Sequence, residues 1–62
     1  MTDRKKMATQ AELAEYLDVP QKTLIDWRYR RIGPPWLKLG HHVRYPWPAV
    51  DKWITDNLKA AS

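Results

Sequence analysis

Six cationic side chains, Lys22, Arg28, Arg30, Arg31, Lys38 and Arg44, fall between residues 21 and 45 against one carboxylate, Asp26. That stretch carries +5, whereas residues 1–20 carry −1 and residues 46–62 balance, so the +4 of the 62-residue chain belongs to its central third. Charge concentrated in this way is how a polyanion-binding surface is laid out; a solvated basic face is the plainer alternative. His41 and His42 are adjacent, have no cysteine near them and lack helical spacing, so no metal site and no cofactor is expected. No serine or lysine stands beside a histidine and an acid in an arrangement suited to nucleophilic catalysis, and the absence of cysteine removes thiol chemistry and disulfides. Catalytic residues are therefore not expected, and the chain does not read as an enzyme.

Those cations must be positioned by a single small domain, because chains usually spend one to two hundred residues per domain. With about 60% of its unfolded surface buried at this size, much of the core falls to the four tryptophans and three tyrosines. Charge or proline interrupts every apolar stretch, which argues against a membrane span or a secretory signal and for a cytosolic protein.

Residues 1–7 lack periodicity and read as a loose arm, with the domain at 8–58 and a tail at 59–62. Thr9 with Glu12 predicts a capping box that opens a first helix, whose apolar face holds Leu13, Ala14 and Leu17. Asp18-Val19-Pro20 forms a tight connection, and Pro20 suits the first turn of a second helix running from Gln21 to Arg31. Leu24 and Trp27 point inward on that helix, with Arg31 at the edge of the same face. Lys22, Asp26, Tyr29 and Arg30 project outward with Ile25 beside them, which is more apolar than solvent alone favours. Gly33-Pro34-Pro35 ends the helix. Two strand-like runs, 36–39 and 42–45, join at Gly40-His41 as a hairpin, putting both histidines at its tip and Lys38 and Arg44 near its outer surface. Pro48 fits the first position of a last helix with Val50, Trp53, Ile54 and Leu58 on one face, Asp51 near its start and Lys59 near its end.

Two short helices joined by three or four residues are the layout of a helix-turn-helix, whose second helix enters the major groove. A basic hairpin followed by a packing helix extends it to a winged helix-turn-helix, a mainly α fold with a small β-hairpin. From about Ala8 to Ile54 the chain resembles the phage excisionases, or recombination directionality factors, and their relatives with a MerR-like winged helix. The resemblance rests on Ala14, Leu17 and Val19, on Thr23-Leu24 followed by Trp27, on Ile32-Gly33-Pro34-Pro35, on the glycine-tipped hairpin ending in Tyr45, and on Ala49-Val50 followed by Trp53. Pro20 departs from it, since many relatives have a helix-capping serine there.

The resemblance implies a factor without catalysis that binds adjacent sites in a phage attachment region and bends double-stranded DNA. It further implies contact with a phage integrase, turning recombination towards prophage excision, with other copies of the chain on neighbouring sites, in the cytoplasm of a bacterial host and associated with its nucleoid. Related domains serve instead as small transcriptional regulators, and the fold does not separate the two uses. A third possibility is a protein-interaction adaptor that offers its basic surface to an acidic partner.

Carried over position by position, the recognition helix faces DNA with Lys22, Ile25, Asp26 and Tyr29, and the helical wheel adds Gln21, Thr23 and Arg30. Gln21 and Thr23 suit phosphate at the helix start, or Gln21 an adenine edge. Asp26 either orients a neighbouring arginine or accepts from a cytosine amino group, with orientation favoured. For Arg30 the competing role is an ion pair with an acid of another helix. Arg28 and Arg31 lie nearer the inward face, where their stems cover Trp27 and their guanidinium groups reach a phosphate or an acid. In the wing, Lys38 and Arg44 are the expected backbone contacts. His41 and His42 join them, with His41 where many relatives have an arginine. Histidine is shorter and mostly neutral at pH 7, so contact there is weaker and more pH-dependent. Trp27, Trp36, Tyr45 and Trp53 are imaginable as a base-stacking platform, but core packing is the stronger reading for Trp27 and Trp53. Trp36 and Trp47, flanked by prolines, are harder to place and are candidates for a partner surface.

Overall fold

Thr9 opens the first helix as its spacing with Glu12 requires. The Thr9 hydroxyl accepts from the Glu12 N–H at 3.1 Å, and the Glu12 carboxylate accepts from the Thr9 N–H at 2.9 Å. A computed structural model describes residues 6–61 of the chain and gives this helix as α1 (Gln10–Leu17). The other elements are β1 (Met7–Ala8), α2 (Gln21–Arg30), β2 (Leu37–Leu39), β3 (His42–Pro46) and α3 (Trp47–Ala61). This is a winged helix-turn-helix: α1 and α2 form the helix pair, β2 and β3 the wing, and α3 packs behind them.

Both helices of the pair end in the same backbone motif. The residue after each takes a left-handed conformation, Asp18 at φ 59° and Arg31 at φ 60°, and the N–H groups of that residue and the next turn back into the helix. For α1 the bonds run from Asp18 to the Glu15 carbonyl and from Val19 to the Ala14 carbonyl, and for α2 from Arg31 to Arg28 and from Ile32 to Trp27. Gly33 then presses the outgoing chain against Trp27. Its φ is +89°, and a Cβ there would lie 2.8 Å from the indole Cε3, so only glycine fits without rearrangement.

α2 starts at Gln21, with Pro20 before it as the N-cap, extended at φ −65° and ψ 148° and with no side-chain hydrogen bond to offer; the helix stops at Arg30, one residue short of the expected end. The first turn is closed by the Thr23 N–H on the Pro20 carbonyl at 3.0 Å.

The hairpin forms with Gly40 and His41 as its loop. Leu39 faces His42, Lys38 faces Val43 and Leu37 faces Arg44. Gly40 at φ 64° supplies the positive φ at the first loop position. On the other edge of β3, Met7 pairs with Pro46 and Ala8 with Tyr45, giving strand order β1-β3-β2. The expected loose arm is thus corrected at its inner end: Met7 is in the sheet, and the Lys6 carbonyl accepts from the Trp47 N–H at 3.1 Å. The rest of that arm, residues 1–5, lies outside the described residues. The C-terminal boundary moves as well. α3 begins at Trp47, which makes Pro48 its second residue, and it continues through Ala61, so the segment from Lys59 to Ala61 is helix and not tail. Proline is harmless at that position because the first N–H groups of a helix have no carbonyl partner within it.

Ala8, Leu13, Ala14, Leu24, Tyr45, Trp47 and Val50 make the core, with Leu17, Val19, Trp27, Val43 and Ile54 packed around it. Leu13, Leu24 and Val50 are fully buried, and each such side chain stabilises by about 1.5–3 kcal/mol. Trp47, left open between core and surface by the sequence, is 7% exposed and meets the Tyr16 ring edge-on at 4.9 Å. Trp27 and Trp53 meet across α2 and α3 at 5.8 Å. Among the described residues no helix is long and apolar enough to cross a membrane.

Candidate nucleic-acid interface

With Leu24 anchored in the core, the helical repeat turns the opposite side of α2 outward. Lys22, Ile25, Asp26, Tyr29 and Arg30 are all exposed there, Ile25 by 49% and Tyr29 by 89%. Thr23 is half-buried on one flank. Gln21 is exposed, but its side-chain carbonyl accepts from Gln10 Nε2 at 2.8 Å, which ties the start of α2 to α1 and leaves the amide N–H groups to face outward contacts.

Asp26 holds Arg30 through a 3.2 Å ion pair one turn apart on α2. Asp26 thus pairs with a neighbouring arginine, and the acid that Arg30 meets lies on its own helix and not on another. Both side chains are more than half exposed, so the pair contributes little to stability, about 0.3–0.5 kcal/mol at most. By contrast, Lys22, Arg28, Arg31, Lys38 and Arg44 have no carboxylate within ion-pair range among the described residues. Among the described residues, five cations thus have no acid partner along α2, the residue that ends it and the wing.

The register of the hairpin sorts the wing residues. Cross-strand partners share a face and successive residues alternate, so His42, Arg44, Leu37 and Leu39 lie on one side of the ribbon and Lys38, Val43 and Tyr45 on the other. Lys38 and Arg44 therefore bracket the wing from opposite faces. Arg44 is half-buried, its Nη1 donating to the Val43 carbonyl at 2.8 Å, while Lys38 is exposed. His41 and His42 are exposed at the tip. Among the described residues no three histidine, aspartate or glutamate side chains gather into a metal-holding group.

Arg28 is the residue the sequence placed least well. Its guanidinium meets no carboxylate among the described residues: Nη1 donates to the Tyr45 hydroxyl at 2.7 Å, and the group lies 5.8 Å from the centre of the Trp36 ring. One side chain so joins α2 to β3 and to the start of the wing. Tyr45 is 1% exposed and spoken for by this bond, which removes it from any stacking platform; Trp36, at 41%, remains on the surface. Contacts across seventeen residues leave no spacing signal, and only the aromatic and cationic types themselves hinted at them.

Recognition helix, wing and most of α3 fall inside one matched segment. Among the curated proteins there is no significant match to the chain. The family model of the helix-turn-helix domain matches residues 9–58. With that match covering most of the chain, and with the helix pair and wing in place, the chain belongs to the helix-turn-helix domain family, a DNA-binding family that includes excisionase-like proteins.

Proposed function

We propose that the chain is an excisionase: a sequence-specific factor that binds and bends double-stranded DNA at an attachment region and directs a phage integrase towards excision. The observation that carries the DNA-binding part of this reading is the group of cations Lys22, Arg31, Lys38 and Arg44, none with a carboxylate in ion-pair range among the described residues, on a helix-turn-helix domain. α2 enters the major groove, with Lys22, Ile25, Tyr29 and Arg30 facing base edges and Asp26 holding Arg30 in position. Gln21 and Thr23 meet phosphate at the helix start. Lys38, Arg44, His41 and His42 follow the backbone beside the groove. The protein does no chemistry of its own and works in the cytoplasm on the host nucleoid.

A single module reads few base pairs, and each mismatch costs about 1–3 kcal/mol, so specificity requires several copies on adjacent sites, which also accumulate the bend. Circular-permutation gel shifts on the natural site test the bend. Mobility is expected to depend on where the site lies in the fragment, and a position-independent shift rejects bending. Deleting the gene and following prophage excision alongside transcription of neighbouring genes separates this role from that of a regulator: excision should fail while transcription holds.

A further inference from the structure

We propose that the concavity between the end of α2 and the start of the wing is a seat for one backbone phosphate of duplex DNA and its sugar. This rests on the DNA-binding reading and adds a contact outside the outward face of α2 and the tip of the wing. The concavity measures about 790 Å³ and is lined by Arg28, Tyr29, Arg31, Ile32, Pro35 and Trp36. No carboxylate lines it, and neither arginine has an acid in ion-pair range among the described residues. An anion is the occupant such a surface favours. Tyr29 belongs both to this lining and to the exposed face of α2, so the seat opens directly beside the recognition surface, where a groove-bound helix brings the phosphodiester chain.

Each residue has a distinct part. Arg31 supplies the charge. Trp36 supplies a flat apolar wall for the deoxyribose, and Arg28 fixes that wall by stacking over the indole while bonded to Tyr45. The backbone carries an independent indication. Arg31 occupies the left-handed position that ends α2, at φ 60°, where glycine is the unstrained choice. Aspartate tolerates this conformation at the end of α1, whereas arginine has no side-chain preference for it and gains there only what any cation gains at a helix C-terminus. The side chain of this left-handed residue lines the anion-favouring concavity, and backbone strain at such a place points to a role for that side chain.

The same strain provides the test. Arg31→Gly relieves the left-handed backbone, so the variant should melt at or above the wild-type temperature while losing the phosphate contact. Binding of the full chain to a fluorescein-labelled mixed-sequence duplex, measured by anisotropy across a salt series, reads that contact without knowledge of the natural site. The slope of log affinity against log salt should fall by about one for Arg31→Gly and be restored in Arg31→Lys, which keeps the charge. Tryptophan emission should change when duplex is added to the wild type, and Trp36→Phe should lose most of that change. If Arg31→Gly keeps the wild-type slope while Arg30→Ala lowers it, the seat is overturned and the DNA reading stands; an acidic protein as occupant would give this result. A wild-type chain that fails to bind duplex overturns both.

Discussion

α1 and α2 are neighbours of similar length, close with the same backbone motif and pack into one core, yet they are built to opposite ends. α1 has every local device in place: a reciprocal capping box at Thr9 and Glu12, two buried residues on its inner face, and an aspartate at its left-handed terminus. α2 has a proline for a cap with no hydroxyl to offer, one buried residue, an arginine at its left-handed terminus, and Ile25 and Tyr29 in solvent. Local consistency marks the element that holds the fold, and local inconsistency marks the element that meets a partner. Stability and DNA affinity should therefore separate along the two helices.

The largest expected effect breaks α1. Leu13 is fully buried, and Leu13→Ala should destabilise by about 2–5 kcal/mol, enough to unfold much of so small a domain. Thermal or urea unfolding measures it. Affinity per folded molecule should stay at the wild-type value, because Leu13 is buried in the core and lies outside the proposed DNA-facing surface. A loss of affinity in excess of the unfolded fraction would join the two helices functionally and remove the contrast.

A smaller pair of changes compares the two helix starts. Thr9→Ala removes the hydroxyl that accepts from the Glu12 N–H and should cost about 1 kcal/mol. Pro20→Ser adds such a hydroxyl to α2 but releases the restriction that proline places on the unfolded chain, about 0.4–1 kcal/mol in the other direction. The two terms offset, so unfolding midpoints should show a clear loss for Thr9→Ala and almost no change for Pro20→Ser. Strong stabilisation by Pro20→Ser would mean that the missing cap weakens α2 more than its contacts with α1 and the core repair.

What could be read from the residues divides along the same line. The capping box, the inward Leu24, the outward Lys22, Tyr29 and Arg30, and the hairpin turn at Gly40 all depend on neighbours within a few residues. Even the separation of Lys38 from Arg44 to opposite faces of the wing was implicit once Gly40-His41 was taken as a two-residue loop. β1 was not legible because two residues carry no alternation, and Met7 and Ala8 become a strand only because β3 offers them an edge. Arg28 on Tyr45 and Trp36 was hidden for the same reason: the partners come together only when helix and wing are both folded. The left-handed Arg31 was missed because nothing in residue type announces it, whereas Gly33 did announce the bend against Trp27.

The smallest change sharpens the comparison most. Asp26→Asn removes an exposed ion pair and should alter stability by no more than about 0.3–0.5 kcal/mol. Its consequence for binding is in two parts of opposite sign. Affinity for mixed-sequence duplex should rise, because a carboxylate that repels phosphate has gone and Arg30 is free to meet the backbone. Preference for the natural site over mixed sequence should fall, because Arg30 is no longer held in one geometry by a carboxylate at 3.2 Å. Competition titrations with the two duplexes at one salt concentration give both quantities. A rise in affinity with an unchanged ratio would show Asp26 to be only a brake on charge, and an unchanged affinity would remove it from the interface. The expected result places on α2 a residue that weakens binding in order to direct it, for which α1 has no counterpart.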